Sequence, residues 1–234
     1  MSVDLRVQLI SDAEGFRDLA RQWDELITDS DHREPFYSWI WFDTWWRHFH
    51  RGGELFVVTV EDPLGRLQVI APFMRRRQRF AVQHLGFASN PISPNNRILV
   101  RHGFPASEAV RLVMRCLAEH RDQWDRGRLL NMPETAELVG AMSEAGESFG
   151  FRLHQTSGWQ STYVALNGSF DEYLASQFRS NRRRGIRQKV RQLSELPGYR
   201  VLEFRRPDEM PRALDLAFAV SKASWKQEEG TDMG

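Results

Sequence analysis

Cysteine is nearly missing from this chain: Cys116 is the only one in 234 residues. A disulfide framework and a Cys-rich zinc site are both excluded by that count. Lysine is almost as scarce, with 3 residues against 29 arginines. Arginine makes bidentate contacts with carboxylates and phosphates, so the bias leaves anion recognition open, although genome base composition produces the same bias. No apolar run approaches the ~20 residues that cross a bilayer. The N-terminus, MSVDLRVQLISDAEG, lacks a basic segment followed by an apolar stretch, so it does not read as a secretory leader. With no such signal, a cytoplasmic protein is the default expectation, and no membrane partner is expected. What remains is a globular composition, with 41% hydrophobic, 12% aromatic and 27% charged residues. The net charge of +1 hides an asymmetry, because acids dominate residues 1–62 and bases the remainder.

Periodicity places the elements. Residues 3–10 alternate and predict a strand. Ser11 and Glu14 fit a capping box ahead of an amphipathic helix over 12–28. The aromatic block FYSWIWFDTWWRHFH, 36–50, predicts a second helix capped by Ser38. It is apolar most of the way round, so it is buried or lines a cleft. The period then becomes two, giving three antiparallel strands at 54–61, 66–74 and 78–87, with Asp62-Pro63-Leu64-Gly65 as the first turn. A Pro/Asn-rich loop leads to a short strand near Ile98–Val100. Then follow a helix at 106–122, a strand at 127–132, a helix at 134–147, and strands at 151–157 and 159–166. This order makes residues 1–166 one α+β layer fold with a mixed sheet. Beyond it, 171–196 reads as helical with a break near Ser180–Asn181, 199–206 as a strand, and Pro207 to about Gln227 as a helix.

Three tempting motifs fail on context. Gly146-Glu147-Ser148-Phe149-Gly150 matches Gly-x-Ser-x-Gly, but a nucleophile elbow needs a strand before the Ser and a helix after it, and the order here is reversed. His48 and His50 lie ~200° apart around a helix and cannot chelate one metal together. Asn167-Gly168-Ser169 is a glycosylation sequon without a secretory signal to give it meaning.

The arginine-rich segment RSNRRRGIRQKVR, 179–191, holds seven bases and no acid. Phe178, Ile186, Val190 and Leu193 mark an apolar stripe, and Arg179, Arg183, Arg187 and Arg191 a neighbouring face at i,i+4 spacing. A solvated basic helix, an anion-binding face and a nucleic-acid contact all remain open. The last is disfavoured, because it needs aromatic stacking beside the charge. Trp41 and Trp45 offer stacking surfaces for a sugar or nucleotide acceptor, although aromatic stripes at helical spacing more often form core.

The element order of 1–166 resembles the GNAT acyltransferase fold. The block PFYSWIWFDTWWRHF resembles the N-terminal half of the CelD/BcsL-like, FemAB-related tandem-GNAT proteins. So does the passage from Phe170 to Lys226: Asp171-Glu172-Tyr173, the arginine-rich helix, a strand, then Ser224-Trp225-Lys226. The resemblance implies an N-terminal GNAT-like domain at 1–166, a basic linker helix at 167–197, and at 198–234 the start of a second, catalytic-type GNAT domain, expected to be truncated. It implies acyl transfer from acyl-CoA to a small-molecule or saccharide acceptor, with this chain supplying acceptor-binding and scaffold parts. Arg183 and Arg184 are the positions carried over as acceptor-binding, with Trp41, Trp45, Trp225 and Lys226 beside them; no catalytic residue is assigned.

GNAT enzymes hold the donor pyrophosphate on backbone N–H groups after a Gly-rich turn. The corresponding stretch, 88–107, has only Gly103 and carries Pro91, Pro94 and Pro105, which lack an N–H. The expectation is therefore that this portion binds no acyl-CoA itself, the donor being held by the missing half, and that it holds no metal. The alternative is a catalytically inert module that docks an anionic partner, RNA or a polysaccharide-assembly complex, through the arginine-rich helix.

Overall fold

The computed structural model describes residues 4–78, 81–90, 93, 95–133, 137–158, 160, 162–165 and 167–224. Packing divides the chain into two units, Met1–Ser161 and Thr162–Gly234.

The first unit is a three-layer sandwich around a six-stranded mixed sheet. Its strands are β1 (Arg6–Ile10), β2 (Glu54–Glu61), β3 (Leu67–Arg77), β4 (Gln83–Phe87), β5 (Leu99–Val100) and β6 (Arg126–Gly127). The spatial order is β1-β2-β3-β4-β6, with β5 also on β3. All neighbours are antiparallel except β4 and β6, which run parallel. The helices are α1 (Ala13–Asp18), α2 (Ala20–Thr28), α3 (Trp39–Phe49), α4 (Ala106–Glu119) and α5 (Glu137–Ser148).

Strand alternation sorts the core into two. Phe56, Val58 and Val60 of β2 join Val69, Ala71 and Phe73 of β3 beneath α4 and α5. Leu55 and Val57 join Ile70 and Met74 beneath α1–α3. With both faces covered, β2 and β3 read as continuous apolar runs. Leu67 breaks the phase because the register slips between Val60 and Glu61, a bulge that places two β3 residues opposite one on β2.

The sequence expectations need correction at four places. The first helix is capped by Asp12, not Ser11: the Asp12 carboxylate accepts the Glu14 and Gly15 N–H groups at 3.0 and 2.8 Å. A charged acceptor meets the helix dipole better than a hydroxyl. The 12–28 helix is interrupted at Leu19. Expected strand 127–132 shrinks to the two residues of β6. No strand forms among the described residues of 151–157 and 159–166, which lie largely exposed. A strand needs a partner ladder, and β6 offers too short an edge to found one. Ser38 does cap α3, accepting the Trp41 N–H at 3.4 Å.

Cys116 is buried on α4. Burial pushes its thiol up to about 11, with Glu119 adding to the shift. The folded state therefore holds this proton more tightly than the unfolded chain, so stability falls as pH rises from the ordinary thiol value toward 11. A thiol reagent at pH 8 is expected to leave the native chain unlabelled and to react fully after unfolding in denaturant; labelling at the same rate in both states would refute the burial.

The second unit contains α6 (Phe170–Gln177), α7 (Ser180–Ser194) and α8 (Met210–Lys222). Ser169 and Glu172 close a capping box at the start of α6. The expected helix break falls at Phe178, which is extended. The expected strand 199–206 does not form: these residues are without a partner strand among the described residues. The expected helix from 207 begins with a 3-10 turn over Pro207–Glu209 and continues as α8.

Candidate functional site

Among the described residues one strand pair is parallel, and in open mixed sheets ligands collect at the carboxyl ends of parallel strands. β4 and β6 pair at His84–Arg126 and Leu85–Gly127, and the Arg128 N–H continues the ladder to the Leu85 carbonyl at 2.8 Å. Gly86 lies at the last contact, where a Cβ would stand 2.9 Å from the Arg128 carbonyl oxygen.

Beyond Phe87 the chain leaves the sheet and returns as β5. Both β4 and β5 lie antiparallel to β3, β4 beside Phe73–Arg77 and β5 beside Val69–Ile70. They form one interrupted strand with residues 88–98 as its excursion. Among the described residues, several hydrogen bonds fasten the excursion. The Ala88 N–H bonds the Pro72 carbonyl at 2.9 Å, the Asn96 N–H bonds the Asn131 carbonyl at 3.0 Å, and the Asn96 side-chain amide bonds the Leu130 carbonyl at 2.9 Å. Ser93, Asn96 and Arg97 are buried.

The excursion, β5 and the turn into α4 together make up the stretch 88–107 expected to meet a donor pyrophosphate, and its described residues offer that group little. The N–H groups of Ala88, Ser89, Ser93, Asn96 and Arg101 are all spent on backbone carbonyls. The helix that follows, α4, begins after Pro105 and has Glu108 in its first turn. Arg111 pairs with the Glu108 carboxylate at 2.6 Å and holds it below its ordinary range, so the first turn of the helix already has an anionic group beside it. Negative charge there competes with phosphate for the positive end of the dipole.

The aromatic candidates separate. Trp45 is buried in the core under α3, while Trp41 is half-buried and meets Phe36 edge-on with centroids 4.9 Å apart. Trp41 keeps a surface that a ligand can reach; Trp45 does not. Trp46, not singled out in the sequence, stacks on His50 at 4.9 Å.

The arginine candidates also separate. Arg183 donates to the carbonyls of Ala175 at 3.3 Å and Phe178 at 3.0 Å, closing the end of α6. Carbonyls at a helix end need such partners. Arg187 reaches Asp171 at 2.6 Å, and Arg182 lies over the Phe178 ring. The expected basic face is thus partly spent inside its own helical hairpin. The expected apolar stripe of α7 is exposed at Val190 and Leu193. Arg184 is exposed and pairs with no described residue. Trp225 and Lys226 lie outside the described residues. Among the described residues, no cluster of three or more His, Cys, Asp or Glu is placed to hold a metal, and no helix is long and apolar enough to cross a membrane.

No protein-family model matches the chain, and no curated protein matches it. Several solved structures align with it, among them the following two. One is a glucosamine-6-phosphate N-acetyltransferase from Arabidopsis thaliana, at 11% identity and a TM-score of 0.38, over 68% of this chain and 99% of that one. The other is an aminoglycoside antibiotic 6'-N-acetyltransferase from Acinetobacter baumannii, at 10% identity and a TM-score of 0.37, over 69% and 99%. Both neighbours are N-acetyltransferases. At these scores the likeness decides nothing alone, so the reading below rests on the chain's own strand order.

Proposed function

We propose that this chain is a GNAT-like acyltransferase-type protein of the tandem class, in which the described portion recognises the acceptor and acts as scaffold. The observation that carries this reading is the sheet: antiparallel β1 to β4, a crossover through α4, and the parallel return of β6. The resemblance of the aromatic block and the arginine-rich helix to FemAB-related proteins adds the acceptor role. The residues at the β4–α4 connection argue against acyl-CoA in this unit, so no transfer step is assigned to it.

Within this reading Arg183 and Arg184 have different tasks. Arg183 closes α6, so Arg183→Ala is expected to lower stability by about 1–2 kcal/mol, the range for a lost charged hydrogen bond at a helix end. Arg184→Ala is expected to leave thermal unfolding unchanged and to weaken acceptor saturation. Circular dichroism melts of the two variants check the first statement; a matching loss of stability in both would refute it.

A thermal-shift screen tests the reading itself. Nucleotide sugars and amino sugars are expected to stabilise the chain, and acetyl-coenzyme A is not. Micromolar binding of acetyl-coenzyme A would overturn the donor assignment. Stabilisation by RNA alone, lost in Arg184→Ala, would instead favour an inert module that docks an anionic partner.

A further inference from the structure

A row of bases crosses one face of the sheet over β3, β4 and β6. Arg76 follows Met74 by two residues, so strand alternation places it on the face of Met74, the one that packs under α1–α3. The β3–β4 register sets His84 opposite Arg76, and the β4–β6 register sets Arg126 opposite His84. Directly paired residues share a face. Arg76, His84 and Arg126 therefore stand side by side on neighbouring strands, at steps of ~4.8 Å. The row lies at the amino ends of β4 and β6, away from the excursion, which leaves β4 at its carboxyl end.

Solvent reaches this row. No residue of β4 or β6 belongs to the core beneath α1–α3, so those helices do not roof its outer part. Arg126 is exposed, and Arg76 and His84 are half-buried. Among the described residues, none of the three forms an ion pair. The nearest acids are spent elsewhere: the Asp125 carboxylate accepts the Gln83 N–H at 2.7 Å, and Glu54 pairs with Arg75, whose phase is opposite to that of Arg76. Arg76 donates to the His50 carbonyl at 2.8 Å, while its buried Nε meets no acceptor among the described residues. Two permanent charges thus flank a histidine with no carboxylate to offset them. A run of one charge sign on an open surface attracts a polyanion.

The bond from Arg76 to the His50 carbonyl ties the row to the end of α3. There Trp46 stacks on His50 with centroids 4.9 Å apart and planes 23° apart. Both rings are half-buried, so π-surface remains at the border of the charge. Arg51, next in the chain, is exposed and forms no ion pair among the described residues. Single-stranded nucleic acid is held by this combination, cations along the backbone and an aromatic face for a base. The arginine-rich α7 offers it less well, because its neighbouring ring, Phe178, is already met by Arg182 over its face and by Tyr173 edge-on.

We propose that the row Arg76–His84–Arg126, with the Trp46–His50 stack at its border, is a docking surface for single-stranded nucleic acid. The backbone phosphates run along the bases of the row and a nucleobase rests on the stack. Charge and ring surface together select this partner. An acidic peptide uses the charge and leaves the rings idle, and a duplex keeps its base faces stacked inside. Phosphate contacts and stacking carry no sequence information, so binding is tolerant of sequence. The surface is independent of the acyl-transfer reading, because it rests on strand register and unpaired charge in the first unit alone.

The test uses the full chain and a short end-labelled oligothymidylate, followed by fluorescence anisotropy over a series of sodium chloride concentrations. The parent is expected to bind saturably and to weaken as salt rises. Arg126→Gln is expected to weaken binding several-fold and to flatten the log–log salt slope by about 0.7, the share of one phosphate contact on a single strand. Trp46→Phe shortens the stacking surface, so it is expected to weaken binding several-fold with the salt slope unchanged. Arg184→Gln on α7 removes the same charge elsewhere and is expected to change neither quantity. Circular dichroism melts establish that each variant folds; Arg126 is exposed and unpaired, so Arg126→Gln decides the matter if Trp46→Phe does not fold. The proposal is overturned by an absence of saturable binding in the parent, by a loss in Arg184→Gln that equals or exceeds the loss in Arg126→Gln, or by poly-glutamate competing as well as unlabelled oligothymidylate.

Discussion

Trp23→Ala is expected to lower the unfolding free energy by about 3–5 kcal/mol, the range for truncating a buried Trp. Trp23 is fully buried in α2. It meets Phe16 edge-on at 6.0 Å and Phe42 at 5.0 Å, so three elements converge on one side chain. Its indole N–H also bonds the Tyr37 carbonyl at 2.8 Å, and truncation leaves that carbonyl without its partner. The loss of packing and the loss of the bond therefore add. Urea unfolding followed by circular dichroism checks the value. Trp41→Ala is the comparison, because Trp41 is half-buried and its truncation is expected to cost markedly less. Equal losses at the two positions would show that Trp41 belongs to the same core as Trp23 and offers no ligand surface.

Gly86→Ala is expected to cost about 1–3 kcal/mol, the range for overpacking a tight site. The new Cβ would stand 2.9 Å from the Arg128 carbonyl, a backbone atom that cannot rotate away. Relief requires β4 and β6 to move apart, and their shared ladder is short, pairing His84–Arg126 and Leu85–Gly127 with the Arg128 and Asp125 N–H groups extending it at either end. Gly127→Ala, on the partner strand, is the control: its Cβ would meet only Trp124 at an ordinary 3.8 Å. Reduced freedom of the unfolded chain makes that change neutral or slightly stabilising. Melting temperatures of the two variants check the contrast. Because the parallel pair frames the candidate site, Gly86→Ala is also expected to weaken any ligand effect that Gly127→Ala leaves intact.

The places where sequence reasoning succeeded share a physical feature: the signal was local. The ends of β2 are legible because a short, largely apolar and β-branched run lies between Glu54 and Glu61, charged residues that close both ends. Ser38 was legible as a cap because the hydroxyl acts on an N–H three residues on. The failures were non-local or a contest between neighbours. Residues 199–206 alternate as a strand does, yet pairing, not alternation, makes a strand. Ser11 and Asp12 both satisfy the N-cap preference, and only the observed bonds choose Asp12. The resemblance carries Arg183 and Arg184 over together, but Arg183 faces the end of α6 and Arg184 faces outward. The burial of Arg97 is not legible in the order of residues alone. Arg97 is one base in a Pro/Asn-rich loop, and the only hint was its place two residues before Leu99, which fixes its phase once the strand is known.

The amino-acid order by itself determined the layer class and the helices and central strands of the first unit, and with one cysteine it left no residues for an internal disulfide. Those follow from periodicity and composition, which act over a few residues. The tertiary structure alone decided that β4 and β5 are one interrupted strand, that β6 returns parallel, and that Arg97 ends up buried against Tyr37. Each depends on which distant backbone groups pair, and on the burial that this pairing enforces.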